Sequence, residues 1–433
     1  MGDLSAPAFS RIQTSQLVGA IQPCPRLRFD GCEREVVPVD DGEESSSVAP
    51  GDSKTKIWAH QAGVNALTID VDNKLLLSGG ADSTASAHKY GITHLSFYPF
   101  DSAAFLSSSY DHHLKLYATE TQAVSADFDL SSIIYTHALS PIASHLLVAC
   151  ATQHPNVRLV DLRSGSNTHS MAGHHGALLS LAWSPRLEHI LASGGVDGTV
   201  RLWDVRKSSA SLGVLDMEDS TGIAGTDGMG RGARSRNAGK AHQGAVNGLT
   251  WTDDGSYIVS AGHDQRVRVW DAATGANTLA SFGPTLKNSH LSCLPLAVSP
   301  TSSVEAGKEV LFYPNERELL MFELHQGTLL KRLRVPGPNI AAVRSRTGER
   351  NVKNRITGLA WRGQADGIYS AHTDGQIRPW LPKTREDFEL EKEEEEDETG
   401  KRQADAGDDE GERKRRVLDD VFRDLTRQKI TFG

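Results

Sequence analysis

An all-β ring of seven short-stranded sheets, a β-propeller, is the fold this sequence predicts. Three observations carry the prediction. A serine, an aspartate and an aromatic residue recur at fixed offsets along the chain. They recur with a period of about 43 residues, the length of one four-stranded repeat. The composition, with 40 glycines and 38% apolar residues, suits many short strands joined by tight turns better than long helices. At 433 residues the chain exceeds an average domain, but closed β architectures run longer as single units. Taken in order, the elements are an N-terminal extension over residues 1–53, a propeller over 54–382 and a charged tail over 383–433.

The composition also excludes function classes. A net charge of -9 argues against a protein that coats nucleic acid non-specifically, which needs a basic face to displace counterions. Direct DNA binding is therefore expected to be weak or absent, although the acidic tail hides any local basic patch in that average. The cysteines Cys24, Cys32, Cys150 and Cys293 are scattered, a pattern that fits neither a zinc site nor a disulfide framework and points to a reducing, intracellular compartment. MGDLSAPAFS lacks a basic region leading into an apolar run, and no stretch approaches a membrane-spanning length, so neither secretion nor membrane insertion is expected.

The N-terminal extension holds one helical candidate, FSRIQTSQLVGAIQ, with Ile12, Leu17 and Ile21 spaced along one apolar side. Such a helix either packs on its own domain or lies in a partner's groove. The repeats follow. In SGGVDGTVRLWDVRK the turn residue Asp197 has Ser193 four positions before it and Trp203 six after. The same offsets give Ser260, Asp264 and Trp270, then Ser370, Asp374 and Trp380, then Ser107, Asp111 and Tyr117, and begin again at Ser78 and Asp82. His60, His174 and His242 each lie 18 or 19 residues before the serine of their unit. Two degenerate units keep the strand pattern while Cys150, His154 and Val160, or Phe312, Glu316 and Phe322, stand in the polar positions. Counting both gives seven.

The rule has a physical reading. An aspartate at a tight turn can hold a histidine arriving from the preceding loop, while serine and tryptophan donate from adjacent strands. Such a chain is stable only with every member paired. This pattern resembles the WD-repeat family, in which His, Ser/Thr, Asp and Trp form a structural tetrad within each blade.

The first blade is short. Only 29 residues separate Asp82 from Asp111, so a strand and its loop are missing near residues 82–91: the blade is open on its outer side, or a segment its relatives possess is lacking. The last unit ends at Trp380, and its outer strand is expected from the N-terminal segment Lys54–Trp58, which would remove two exposed sheet edges. Residues 208–240 read as a disordered, glycine-rich insertion. Its GMGRGA has no preceding strand and is an accidental match to a dinucleotide fingerprint, and Arg231, Arg234 and Arg236 read as a solvated loop.

The tail, dense in like charges, is expected to be disordered, ending in VLDDVFRDL as a possible amphipathic helix for a partner. Lys401 and Arg402, followed by Arg413, Lys414, Arg415 and Arg416, look like a two-part nuclear import signal, which makes the nucleus the expected location.

No nucleophile elbow, phosphate loop, H-E-x-x-H or kinase signature is present. The adjacent pairs His112-His113 and His174-His175 face opposite ways on a strand and so rarely share one metal. Neither an enzyme nor a metal or other cofactor is expected.

Trp203-Asp204-Val205-Arg206 matches the W-D-x-R signature of receptors that dock on the damaged-DNA-binding adaptor of cullin-4-type ubiquitin ligases, and Asp161-Leu162-Arg163 repeats its D-x-R part. With LSFYPFDSAAFLSSSYDHHLKLYATETQ, LAWSPRLEHILASGGVDGTVRLWDVRKSS and AHQGAVNGLTWTDDGSYIVSAGHDQRVRVWDAATGANTL, the chain resembles the Cockayne syndrome A family over most of residues 57–382. The resemblance fails at the short first blade. It implies a substrate receptor in transcription-coupled excision repair, bridging the ligase to stalled RNA polymerase II and repair factors. By the same carry-over, Ile12, Leu17, Ile21, Arg163 and Arg206, with Trp203 and Asp204, would form the adaptor side. Arg206 has a second reading, in which it braces the blade edge against a local acid. A WD-repeat scaffold of a different nuclear chromatin or RNA-processing complex is the alternative function.

Overall fold

The computed structural model of the chain describes residues 13–23, 59–60, 62–82, 88–142, 145–207, 211–217, 239–316, 318–334, 343–344, 350–351, 355–363 and 367–381. Met1–Pro382 form one compact unit and Lys383–Gly433 another. The tail with its import signal, the segment Lys54–Trp58 and Ile12 lie outside the described residues.

Within the first unit the chain is an all-β propeller. In the second unit of the repeat, for example, the strands Ile92–Phe97, Ala104–Ser109, His113–Ala118 and Val124–Asp129 pair in that order. The third (Ile134–Leu139 to Ser166–Met171), fourth (Leu178–Trp183 to Ser211–Leu215), and sixth (Ala297–Val298 to Leu329–Arg334) repeat this four-stranded meander. The fifth, Val246–Trp251 to Arg266–Asp271, has three strands. The innermost strands of the first five units pack on one another in succession, and the innermost strand of the last unit packs on Val64–Ile69 of the first, which closes the ring. Every inner hairpin but that of the sixth unit shifts register near the start of its first strand, as between Val64 and Ala66, Leu178 and Ser180, and Val246 and Gly248. A bulge at the same place in successive repeats sharpens the local twist.

The expected count of seven blades is corrected. Among the described residues six sheets of the ring reach three or four strands, and the first repeat, expected to be short, contributes a two-stranded hairpin, Val64–Ile69 with Leu76–Gly80. The reason is chain length: His88, six residues after Asp82, already serves the next unit. The closing strand is corrected too. It is Gln22–Pro23, paired antiparallel with Leu381 and Trp380, that completes the last sheet.

The helix Thr14–Ala20 delivers that strand. Its apolar side buries Leu17 and Ile21 completely among Val310, Phe312, Met321, Ile356 and Trp380, between the sixth and seventh units. Burying two such side chains stabilises the closure by about 3–6 kcal/mol. Lys331 Nζ donates to the Val18 and Ile21 carbonyls at 2.8 Å each, satisfying orphan acceptors at the helix C-terminus. Residues 13–23 of the N-terminal extension are thus packed into the propeller.

Part of the expected insertion 208–240 is also ordered sheet: Ser211–Leu215 pairs with Val200–Trp203 as the outer strand of the fourth unit. Residues 218–238 lie outside the described residues. Among the described residues no helix is long and apolar enough to cross a membrane.

Candidate functional site

The polar positions of the repeat converge as the offsets require. In the fourth unit Trp203 Nε1 donates to Ser193 Oγ at 2.7 Å, Ser193 Oγ lies 2.7 Å from His174 Nε2, and His174 Nδ1 lies 3.2 Å from both Asp197 oxygens. A carboxylate at Nδ1 requires the proton there, so Nε2 accepts from the serine. Asp197 also accepts the backbone N–H groups of His175 and Thr199 and the Thr199 hydroxyl. Burial opposes its charge, but these donors and the His174 ring outweigh it and hold the carboxyl far below the usual range. For His174 burial is the larger influence and lowers its pKa despite Asp197.

The fifth unit repeats the chain: Trp270 to Ser260 at 2.8 Å, Ser260 to His242 at 2.8 Å, His242 to Asp264 at 2.9 Å. There Arg268 adds an ion pair to Asp264 at 2.9 Å. In the first unit His60 joins Asp82 and Ser78 at 3.0 Å each. The seventh keeps Trp380 on Ser370 at 2.8 Å, but its histidine is His372, 2.7 Å from Ser370, and Asp374 pairs with Arg378 at 2.7 Å.

Backbone geometry explains the turn residues. Gly198, after Asp197, has φ +80° and any Cβ there would collide with the His242 carbonyl. Gly195 makes room for the imidazole, since a Cβ would sit 2.7 Å from His174 Nδ1. His112, in the same turn position as Gly198, has φ 75°, and His113 pairs with Asp127 at 2.6 Å; the two imidazoles serve different structural tasks. In the degenerate units Cys150 and Val160 are fully buried, as is Phe312, with Phe322 nearly so, so apolar packing replaces the polar chain.

The repeat rule contained one residue that the sequence reading overlooked. His88 lies 2.6 Å from Ser107 and 2.9 Å from Asp111, and it stands 19 residues before that serine, the very offset that located the other histidines. Tyr117 fills the indole position by stacking on Phe105 at 4.9 Å. His372 carried no such signal, because it follows its serine instead of preceding it.

The candidate adaptor residues separate into two groups. Leu17 and Ile21 are buried in the propeller itself, so the expectation that they face a partner is corrected: closing the ring consumes their apolar side. Trp203 is likewise a core donor, 1% exposed. The strand-end Asp204 accepts the Arg206 backbone N–H and a bidentate guanidinium contact, Nε at 3.0 Å and Nη2 at 2.8 Å. The hydrogen bonds from Arg206 hold the Asp204 carboxyl down at about 2. The bracing reading of Arg206 is therefore present, while its side chain remains 64% exposed. Asp161 caps its turn the same way, accepting the Arg163 backbone N–H at 2.9 Å, and Arg163 is exposed. The equivalent turn of the fifth unit has Asp271 accepting from Ala273. The shared device is a carboxylate that closes the turn after a strand; the arginines are what the third and fourth units add.

Comparison with known proteins agrees with this architecture. The WD domain, G-beta repeat family matches residues 51–87, 83–118, 165–204 and 235–271. WD repeat-containing protein ATCSA-1 of Arabidopsis thaliana is 29% identical over 317 residues, 53% of this chain and 70% of that protein. Radiation-sensitive protein 28 of Saccharomyces cerevisiae is 28% identical over 44% of this chain, and ribosome biogenesis protein ytm1 of Pyrenophora tritici-repentis 31% over 44%. The chain spans 40% and 41% of the length of these last two.

Proposed function

We propose that this protein, a WD-repeat β-propeller, is the non-catalytic substrate receptor of a cullin-4-type ubiquitin ligase acting in transcription-coupled excision repair. The observation that carries the reading is the Trp203–Arg206 strand end, where a core-anchored tryptophan and a buried aspartate present an exposed, geometrically fixed guanidinium, with Arg163 exposed on the equivalent turn next door. The resemblance to the Cockayne syndrome A family and the likeness to ATCSA-1 over 70% of its length support it. In this role the chain holds a target, stalled RNA polymerase II or an associated repair factor, near a ligase-bound donor, raising effective concentration instead of supplying a reacting group. The basic pairs at Lys401 and Arg413 would direct it to the nucleus.

A second reading, a scaffold in ribosome assembly, is favoured by the likeness to ytm1 proteins. Affinity purification from nuclei separates the two. Co-elution of the adaptor and a cullin, reduced by Arg206→Ala, is expected; a pre-ribosomal complex without either would replace the first reading with the second.

A further inference from the structure

The repeat rule fails together in two neighbouring places, and a cavity lies between them. In the sixth unit the turn aspartate is replaced by Glu316, and in the seventh no histidine stands 18 or 19 residues before Ser370, while Arg355 lies just before the inner strand. Lys287, Asn288, Ser292, Asn315, Glu316 and Arg355 line a small cleft of about 20 Å³, partly open to solvent. It sits on the face that carries the turn aspartates.

The electrostatics of this cavity are unbalanced. Arg355 Nη1 donates to Ser292 Oγ at 3.1 Å, and burial lowers its pKa against the opposing influence of Tyr110 and Glu316. Among the described residues no carboxylate pairs with the guanidinium, while Glu316 is 3.8 Å from Lys287. Two cations therefore share one acid. A half-buried guanidinium whose side-chain partner is a serine hydroxyl and not a carboxylate suits a planar, bidentate anion arriving from the open side of the cleft. Tyr110, 42% exposed, and Leu291, 55% exposed, supply apolar surface nearby.

We propose that this cavity recognises a glutamate or aspartate side chain of a partner protein, presented on an extended peptide with an apolar neighbour. A nucleic acid is the poorer fit, since phosphate-backbone binding draws on many cations and this chain carries a net charge of -9. The proposal does not depend on which complex the protein serves, so its failure leaves the ligase reading standing.

The test is an array of acetylated pentapeptides whose middle residue is Glu, Asp, Gln, Asn or phosphoserine, probed with the full chain and, separately, anisotropy with a fluorescent DNA duplex. Glu and Asp peptides with apolar neighbours should be retained roughly tenfold better than their amide counterparts, the worth of one charge-assisted contact. Arg355→Gln should abolish the preference and Arg355→Lys retain part of it. Lys287→Gln, at a side chain 59% exposed and so harmless to folding, should weaken it several-fold. Equal retention of acid and amide peptides, a preference untouched by Lys287→Gln, or stronger binding of phosphoserine peptides or duplex DNA would overturn the proposal.

Discussion

Replacing Ser193 by alanine removes one oxygen and strands two buried groups. The Trp203 indole N–H loses its acceptor at 2.7 Å and His174 Nε2 loses its donor at 2.7 Å. Trp203 is 1% and His174 5% exposed, so water cannot take either place. Each buried group left unpaired costs about 1–3 kcal/mol, which gives about 2–6 kcal/mol in all. In a unit of this size that lowers the melting temperature by roughly 3–8 °C, readable by circular dichroism. Trp203→Phe made in the Ser193→Ala background then removes one of the stranded groups, so it should cost about 1 kcal/mol less than in the parent chain. The degenerate third unit is the natural precedent, having lost both partners together with Cys150 and Val160 in their places. A melting temperature within about 1 °C of the parent, or strict additivity of the two substitutions, would refute the paired-chain reasoning.

Leu17→Glu places an unpaired charge in the seam between the sixth and seventh units and should lower stability by about 3 kcal/mol or more; unchanged melting would restore a partner-facing role to that helix. Stability should fall steadily with acid. The folded-state pKa values of His88, His174 and His242 are lowered, chiefly by burial, so the unfolded chain takes up protons first as pH drops below about 6.5. The carboxyls of Asp197 and Asp264 are depressed by their donors against the opposing effect of burial, so their stabilisation, present above about pH 4, is lost as pH falls through the folded values. Melting temperatures that stay flat from pH 7.5 to 4.5 would contradict the histidine claim, and the absence of a further fall below pH 4 the aspartate claim. Burial pushes the Cys150 thiol up to about 12, so it should not react with a thiol reagent at pH 8 until the chain is unfolded; labelling of Cys150 in the folded protein would count against that packing.

The repeat was legible because its polar residues are spaced by the geometry of a hairpin, and one aspartate located its serine, tryptophan and histidine together. What escaped the sequence was governed by tertiary competition. The helix over Thr14–Ala20 showed its apolar side, but nothing local distinguishes burial in the parent ring from burial in a partner, and the hydrophobic seam beside Trp380 decided it. The closing strand is only the two residues Gln22–Pro23, too short for any periodicity, and Lys54–Trp58 had the stronger strand composition. Ser211–Leu215 was hidden by the glycine-rich stretch that follows it, although SLGVL alone alternates well enough to pair. At the candidate surface, W-D-x-R fixed the residue types, while only the coordinates showed that Asp204 both closes its turn and holds Arg206.

Nitrogen NMR on selectively histidine-labelled protein tests the central claim, that imidazole, hydroxyl, carboxylate and indole groups pin the sheets from within. His88, His174 and His242 should each titrate at a lower pH than an imidazole free in water, with the proton of the neutral ring on Nδ1. Titration of these three rings near pH 6.5, as for imidazoles free in water, would contradict the account.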